Sequence, residues 1–583
     1  MIGSIAELLA DYRAGRRDPS GVVEGLLATR APDERPVWIT RVGDDELRAA
    51  AAALDARGGR DLPLYGVPFA VKDNIDVAGM PTTAACPGVA RTATQTAPAV
   101  ACLLAAGALL VGKTNLDQFA TGLVGTRSPY GACASVFDAR RCSGGSSSGS
   151  AVAIGRGEVA FALGTDTAGS GRVPAAFNEL VGCKPTRGLV STLGVVPACA
   201  SLDCVSILSR GVADAEAVLD VLAVFEKADP VSRPFIPPPA ARHGSVAVPR
   251  PDQLRFEEPE ARGAWERALA EATGRWPLVE VDIEPLLEAT PLLYAVWVAE
   301  RAADLGAIVA GEPEGLDPTV AGIIAAGAGT SGPEVFAAQH RLAELRRAAE
   351  SVWAGADALC LPTTPFHPTF AQVAADPVGV NERLGRYTNF ANLLDLAAIA
   401  VPGPRRSDGL PFGITLFAPA FHDHRLLELA AQWRGEEVAG REPGAVRLAV
   451  VGAHLSGLDL NGQLTERGAR LVRTTSTAPV YRLYALPGGP VARPGLVRVP
   501  ADGAAIEAEV WELSTAALGS LLAGVASPLG IGRVALADGE EVAGFLCEQA
   551  GTVGALDITD HGGWRAYLAA GEADRTARRY VIS

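Results

Sequence analysis

Three short segments of the 583-residue chain carry residue types that do chemistry. The first, Tyr65-Gly66-Val67-Pro68-Phe69-Ala70-Val71-Lys72-Asp73-Asn74, is an apolar run that delivers one lysine near its end. A lysine emerging from a buried strand is stripped of water, which lowers its pKa and lets the amine act as a base near neutral pH. The same text also fits a surface lysine at a strand end. The second segment is Ser143-Gly144-Gly145-Ser146-Ser147-Ser148-Gly149-Ser150, followed by an Ala-rich helical stretch. A Gly/Ser loop at a helix N-terminus points amides and hydroxyls at one spot. A flexible linker has the same composition, but linkers are not normally embedded between apolar runs. The third is Gly164-Thr165-Asp166-Thr167-Ala168-Gly169-Ser170-Gly171-Arg172-Val173-Pro174. Its small residues leave the Ser170 hydroxyl open to a substrate. The backbone amides of Thr167, Ala168 and Gly169, up to Ser170, suit an oxyanion hole aimed at charge that develops on attack. The plainer alternative is a tight turn in which Asp166 pairs with Arg172.

Two other matches are set aside. Gly107-Ala108-Leu109-Leu110-Val111-Gly112-Lys113-Thr114 has the spacing of a phosphate-binding loop. Its middle positions are those of a buried strand, not of a turn whose amides cradle phosphate. Gly145-Ser146-Ser147-Ser148-Gly149 has the spacing of a nucleophile elbow, yet Ala139-Arg140-Arg141-Cys142 before it is not a convincing strand. The seven histidines offer no obvious partner for a Ser-His-Asp site.

These segments need a scaffold that brings them together. Residues 1–60 read as helical, beginning with a short amphipathic helix that lacks the features of a signal peptide. From Pro63 to about Leu208, β-like runs (Val67–Val71, Ala108–Val111) alternate with Ala-rich helical runs and Gly/Ser turns, as in an α/β layer architecture. Residues 285–355 are helical, Ala358–Pro362 and Ile414–Phe417 are strands, and Asn389–Ala398 reads as a helix leading to a strand at Ala400. A polar break falls at Gly435–Gly444. After it the pattern restarts at the strand Arg447–Val451, with further β-like runs at Tyr481–Ala485, Ala508–Leu513 and Val542–Cys547.

Composition bounds the function classes. Apolar residues make up 48% and charged residues 20%, which is globular usage and excludes disorder. Lys+Arg of 51 against Asp+Glu of 66 leaves a net charge of −15, which argues against a nucleic-acid partner. The nine cysteines contain no CxxC, so neither a disulfide scaffold nor a zinc ribbon is implied, and a reducing cytoplasm fits best. No uncharged apolar stretch reaches the roughly 18 residues that a membrane span needs, so no membrane association is expected.

Taken in order, Lys72, the Gly-Gly-Ser-Ser loop and the Gly-Ser-x-Arg run resemble the amidase signature family over about residues 1–435, most specifically from Cys142 to Thr186. The resemblance implies an α/β core with a mixed β-sheet covered by helices. It also implies a Ser–cisSer–Lys triad, with Ser170 as nucleophile, Ser146 as bridge and Lys72 as base, and requires no metal and no cofactor. The segment Ala134–Cys142 departs from the more usual family text.

The resemblance narrows further. Asn115–Gly131, Trp297–Arg301 and Tyr387–Leu396 are similar to the same stretches of allophanate hydrolases. Val450–Gly457 and Leu464–Arg470 are similar to the extra domain of that family. This implies an amidase domain over 1–435, a linker over 436–445 and a smaller α+β domain over 446–583 resembling γ-glutamyl cyclotransferases. The implied substrate is allophanate, a small ureido carboxylate met in urea degradation. Arg301 is the candidate for its carboxylate, with Tyr294, Gly122 and Gly125 as further substrate contacts. The amidase step releases ammonia and N-carboxycarbamate, and the extra domain is implied to help decarboxylate the latter, with His454 positioning or protonating the departing nitrogen. Glu512 and Arg470 are further candidates there. A homodimer, a cytoplasmic location and functional coupling to a urea carboxylase complete the expectation. The alternative is another amidase of the family or a tRNA-dependent amidotransferase component, which leaves the last 139 or so residues without a role.

Overall fold

The computed structural model describes residues 2–30, 36–57, 60, 62–236, 244–438, 446–467, 469–488, 492–513 and 515–570. The chain forms two compact units that divide near residue 440. Of the expected linker, residues 439–445 lie outside the described residues.

The first unit is built on an eleven-stranded sheet. Its order runs from Trp38–Arg41 through Leu109–Thr114, Pro68–Lys72, Phe161–Thr165, Val205–Ser209 and Val181–Lys184. It continues through Leu396–Pro402, Gly413–Pro419, Ala358–Pro362 and Val246–Pro249 to Leu278–Val281. Pro68–Lys72 is parallel to both its neighbours, whereas Phe161–Thr165 meets Val205–Ser209 antiparallel, so the sheet is mixed. Every residue of Pro68–Lys72 and of Phe161–Thr165 is buried. That is why these strands read as unbroken apolar runs instead of alternating ones: both faces of the sheet are covered here. The stretch Gly107–Thr114 supplies the strand Leu109–Thr114, and its Lys113 is a buried ion-pair partner of Asp73 at 3.0 Å.

Local signals account for several elements. The first helix, Ile5–Arg13, starts at a reciprocal cap between Ser4 and Glu7 and buries Ile5, Leu8, Leu9 and Tyr12, one face at helical spacing. Two expectations are corrected. The first 60 residues are not helical throughout, because Trp38–Arg41 pairs antiparallel with Leu109–Thr114 at the sheet edge. The helix expected over Asn389–Ala398 is only Phe390–Leu393, and the strand begins at Leu396. Asp395, with φ of 56°, takes the left-handed conformation that ends the helix.

The second unit has a five-stranded sheet ordered Arg470–Ser476, Glu507–Leu513, Val446–Val450, Glu541–Cys547 and Leu529–Ala535, with its own apolar core around Leu448, Val510 and Trp511. Among the described residues no helix is long and apolar enough to cross a membrane.

Candidate active site

Lys72 ends its strand with no exposed surface. Its Nζ lies 2.7 Å from Ser146 Oγ and 2.6 Å from Thr165 Oγ1. Loss of water pulls its pKa down to about 7, against the opposing pull of Asp117, Asp203 and Asp166. A substantial neutral fraction therefore exists at neutral pH, with a lone pair available to the Ser146 hydroxyl. The surface-lysine alternative is excluded.

The Ser/Gly segment is not a linker. The Gly145–Ser146 peptide is cis, and the helix Ser148–Gly155 begins directly after it, buried along nearly its whole length. Asp117 ties this loop to the preceding one. Its backbone amide donates to the Ser146 carbonyl at 3.1 Å, and its carboxylate accepts from the amides of Gly125 and Arg127, both at 2.9 Å. Ser147 donates its amide to the Ser170 carbonyl at 3.3 Å, which sets the second and third segments side by side. The Ser170 hydroxyl donates to the Gly122 carbonyl at 3.4 Å, a long bond that leaves its oxygen little committed.

In the third segment the two sequence alternatives turn out to be compatible. Asp166 and Arg172 do pair, both fully buried, through two bonds of 2.9 Å. Burial alone would raise Asp166, but the Arg172 fork holds it below the usual carboxylate range. This pair shapes the turn that presents Ser170. It also corrects the expected oxyanion hole, because the Gly169 amide donates to Asp166 at 2.7 Å and is not available to a substrate. Among the described residues, the amides of Thr167, Ala168 and Ser170 donate to no protein acceptor. The Thr167 hydroxyl donates to Asp203, whose carboxyl burial pushes up to about 6.

A small cavity lies over Ser170. Gly122, Thr167, Ala168, Ser170, Tyr294 and Arg301 line it, so most of the expected site residues meet there. Arg301 comes from the helix Val298–Ala310, on the face it shares with Leu305 and Val309, all buried. It does not pair with its helix neighbour Glu300, which instead accepts from Ser201. Arg301 donates to Thr121 Oγ1 at 2.8 Å, and Tyr294 accepts from Asn389 Nδ2 at 2.9 Å. Gly125 is not part of the lining. It sits under the Ser/Gly loop with φ of 73°, where a Cβ would come 2.4 Å from the Gly144 carbonyl oxygen. Sequence reasoning missed Thr165, Asp117, Asp203 and Arg127. Thr165 lies inside the third segment and Asp117 and Arg127 inside the stretch Asn115–Gly131, but nothing local marks their roles, and Asp203 lies outside every quoted segment.

In the second unit His454 lies just past the strand Val446–Val450 and lines a larger, mostly apolar cavity. Its ring stacks on Phe545 at 4.9 Å and its Nε2 bonds Gln463 Oε1 at 3.1 Å. Burial lowers its pKa, so the neutral imidazole dominates near neutral pH. Glu512 does not line this cavity, and the Arg470 side chain is outside the described residues.

A family model for amidases matches residues 28–427. The chain belongs to the amidase family. A second model, the allophanate hydrolase C-terminal domain, matches residues 446–569. Urea amidolyase of Saccharomyces cerevisiae is 44% identical to this amidase over 592 residues, covering 94% of this chain and 32% of that one. The chain thus spans about a third of that relative. The solved structure of Kluyveromyces lactis allophanate hydrolase is 41% identical with a TM-score of 0.74, covering 97% of this chain and 99% of that one. A glutamyl-tRNA(Gln) amidotransferase component from Symbiobacterium thermophilum is 35% identical and covers 75% of this amidase and 96% of that chain.

Proposed function

We propose that this amidase is an allophanate hydrolase. The observation that carries the reading is a fully buried Lys72, 2.7 Å from Ser146, beneath a cavity that Ser170 shares with Arg301 and Tyr294. The likeness to K. lactis allophanate hydrolase across almost the whole of both chains supports it. The amidotransferase relative is more distant, and its similarity extends over only 75% of this chain.

Ser170 is the nucleophile in this mechanism. Neutral Lys72 takes the Ser146 proton as Ser146 takes that of Ser170, and Ser170 Oγ attacks the terminal amide carbon. The oxyanion forms against the amides of Thr167, Ala168 and Ser170, which are already oriented and cost no rearrangement. The relay then returns the proton to the nitrogen, ammonia leaves, and water releases N-carboxycarbamate from the acyl-enzyme. Arg301 holds the substrate carboxylate by its planar fork, with Tyr294 beside it. His454 positions the departing nitrogen when N-carboxycarbamate loses CO2 in the second unit. The substrate comes from a reaction that carboxylates urea, which agrees with the likeness to urea amidolyase.

A coupled ammonia assay tests the reading. Allophanate is turned over far faster than malonamide or glutamine. A preference for glutamine, or unchanged turnover by Ser170→Ala, contradicts it.

A further inference from the structure

Two arginines line the Ser170 cavity, and sequence reasoning singled out only one of them. Arg127 is 3% exposed and Arg301 8%. Among the described residues neither makes an ion pair. Asp117 and Asp317 act on Arg127 only from beyond ion-pair distance, as Asp203 does on Arg301. Thr121 joins the two guanidiniums. Its carbonyl accepts from Arg127 Nη1 at 2.9 Å and its hydroxyl accepts from Arg301 Nη1 at 2.8 Å. The Pro377 carbonyl takes Arg127 Nη2 at 2.6 Å, and Arg127 Nε is buried with no partner.

Buried arginines are normally neutralised, because an unpaired buried charge costs several kcal/mol. Two like charges gathered on one small cavity, neither neutralised by an ion pair among the described residues, make an arrangement that an anion completes. We propose that Arg127 is a second substrate-binding cation, holding the anionic end of the amide substrate together with Arg301 across Thr121. The inference rests on reading this cavity as the amidase site. It adds a specificity determinant: the site selects amides that carry a carboxylate and discriminates against neutral diamides of the same length. Arg127 Nη1 and Nη2 each keep a second N–H beyond the one that holds the cavity wall, and these are the donors that the carboxylate takes up.

The test compares malonamate, which is anionic, with malonamide, which is neutral. In Arg127→Gln the KM for malonamate rises about tenfold or more relative to the KM for malonamide, beyond any loss that the two substrates share through the cavity wall. An equal loss on both substrates marks Arg127 as a wall residue only, and no loss on either removes it from the site; each result overturns the proposal. Arg127→Lys keeps the charge without the fork and is expected to weaken malonamate alone. Should both variants fail to fold, a crystal of the wild-type protein with malonate decides. A carboxylate oxygen within hydrogen-bond distance of the Arg127 guanidinium supports the proposal, and a carboxylate held by Arg301 alone overturns it. If wild-type enzyme ignores allophanate while malonate still rests on both arginines, the proposed function fails and the anion site stands.

Discussion

A lysine at the end of a fully buried strand loses its hydration before it gains any partner, and in this amidase its two nearest partners are neutral hydroxyls. Ser146 and Thr165 can each bond to Lys72 without paying back the charge, so the amine stays poised near pH 7. Had a carboxylate stood where Thr165 stands, the ammonium form would be held and the base lost. Lys72→Ala is therefore expected to cut kcat by about 100- to 10,000-fold while circular dichroism and thermal unfolding remain native-like. A folded, fully active Lys72→Ala enzyme contradicts its role as base.

The elements decide how these residues meet. The strand Pro68–Lys72 aims the amine, the turn braced by Asp166 and Arg172 presents Ser170, and Asp117 clamps the loop that carries Ser146. Gly125 belongs to that clamp. Its left-handed φ and the nearby Gly144 carbonyl oxygen leave no room for a side chain. Gly125→Ala is expected to cost about 1–3 kcal/mol of stability and to lower kcat. An unchanged melting temperature with unchanged turnover contradicts the clamp. At this scale the limits of the sequence are plain. Lys72, Ser146 and Ser170 were legible as candidates from an apolar run, a Gly/Ser loop and a small-residue turn, and their roles from the family resemblance that the three segments carry together. Thr165 and Asp117 were not, since their work depends on which strands and loops the sheet brings side by side. Gly169 was misjudged because a donor's direction is set by a carboxylate three residues away that also binds Arg172. The strand Trp38–Arg41 was hidden by its shortness and its edge position, where only Trp38 is buried.

On the scale of the whole molecule, each unit has its own apolar core and its own cavity, one over Ser170 and one beside His454. The break near residue 440 was readable from Gly, Pro and charge, while the size and apolar lining of the second cavity were not, because its walls come from separate stretches of the chain. Two self-contained units suit an intermediate that diffuses from one to the other. Residues 1–440 and 441–583, expressed separately and mixed, are then expected to recover both ammonia release and CO2 release from allophanate. If each half is folded and the mixture performs only the first step, free diffusion is wrong.

The pH dependence of acylation in a single turnover probes the amine itself. The rate is expected to rise with pH through one ionisation near 7, as the Lys72 ammonium gives up its proton, and then to level off. A rate that is flat from pH 5 to 9 by this measurement, or that falls across that roughly four-unit window, means that no neutral lysine drives the attack.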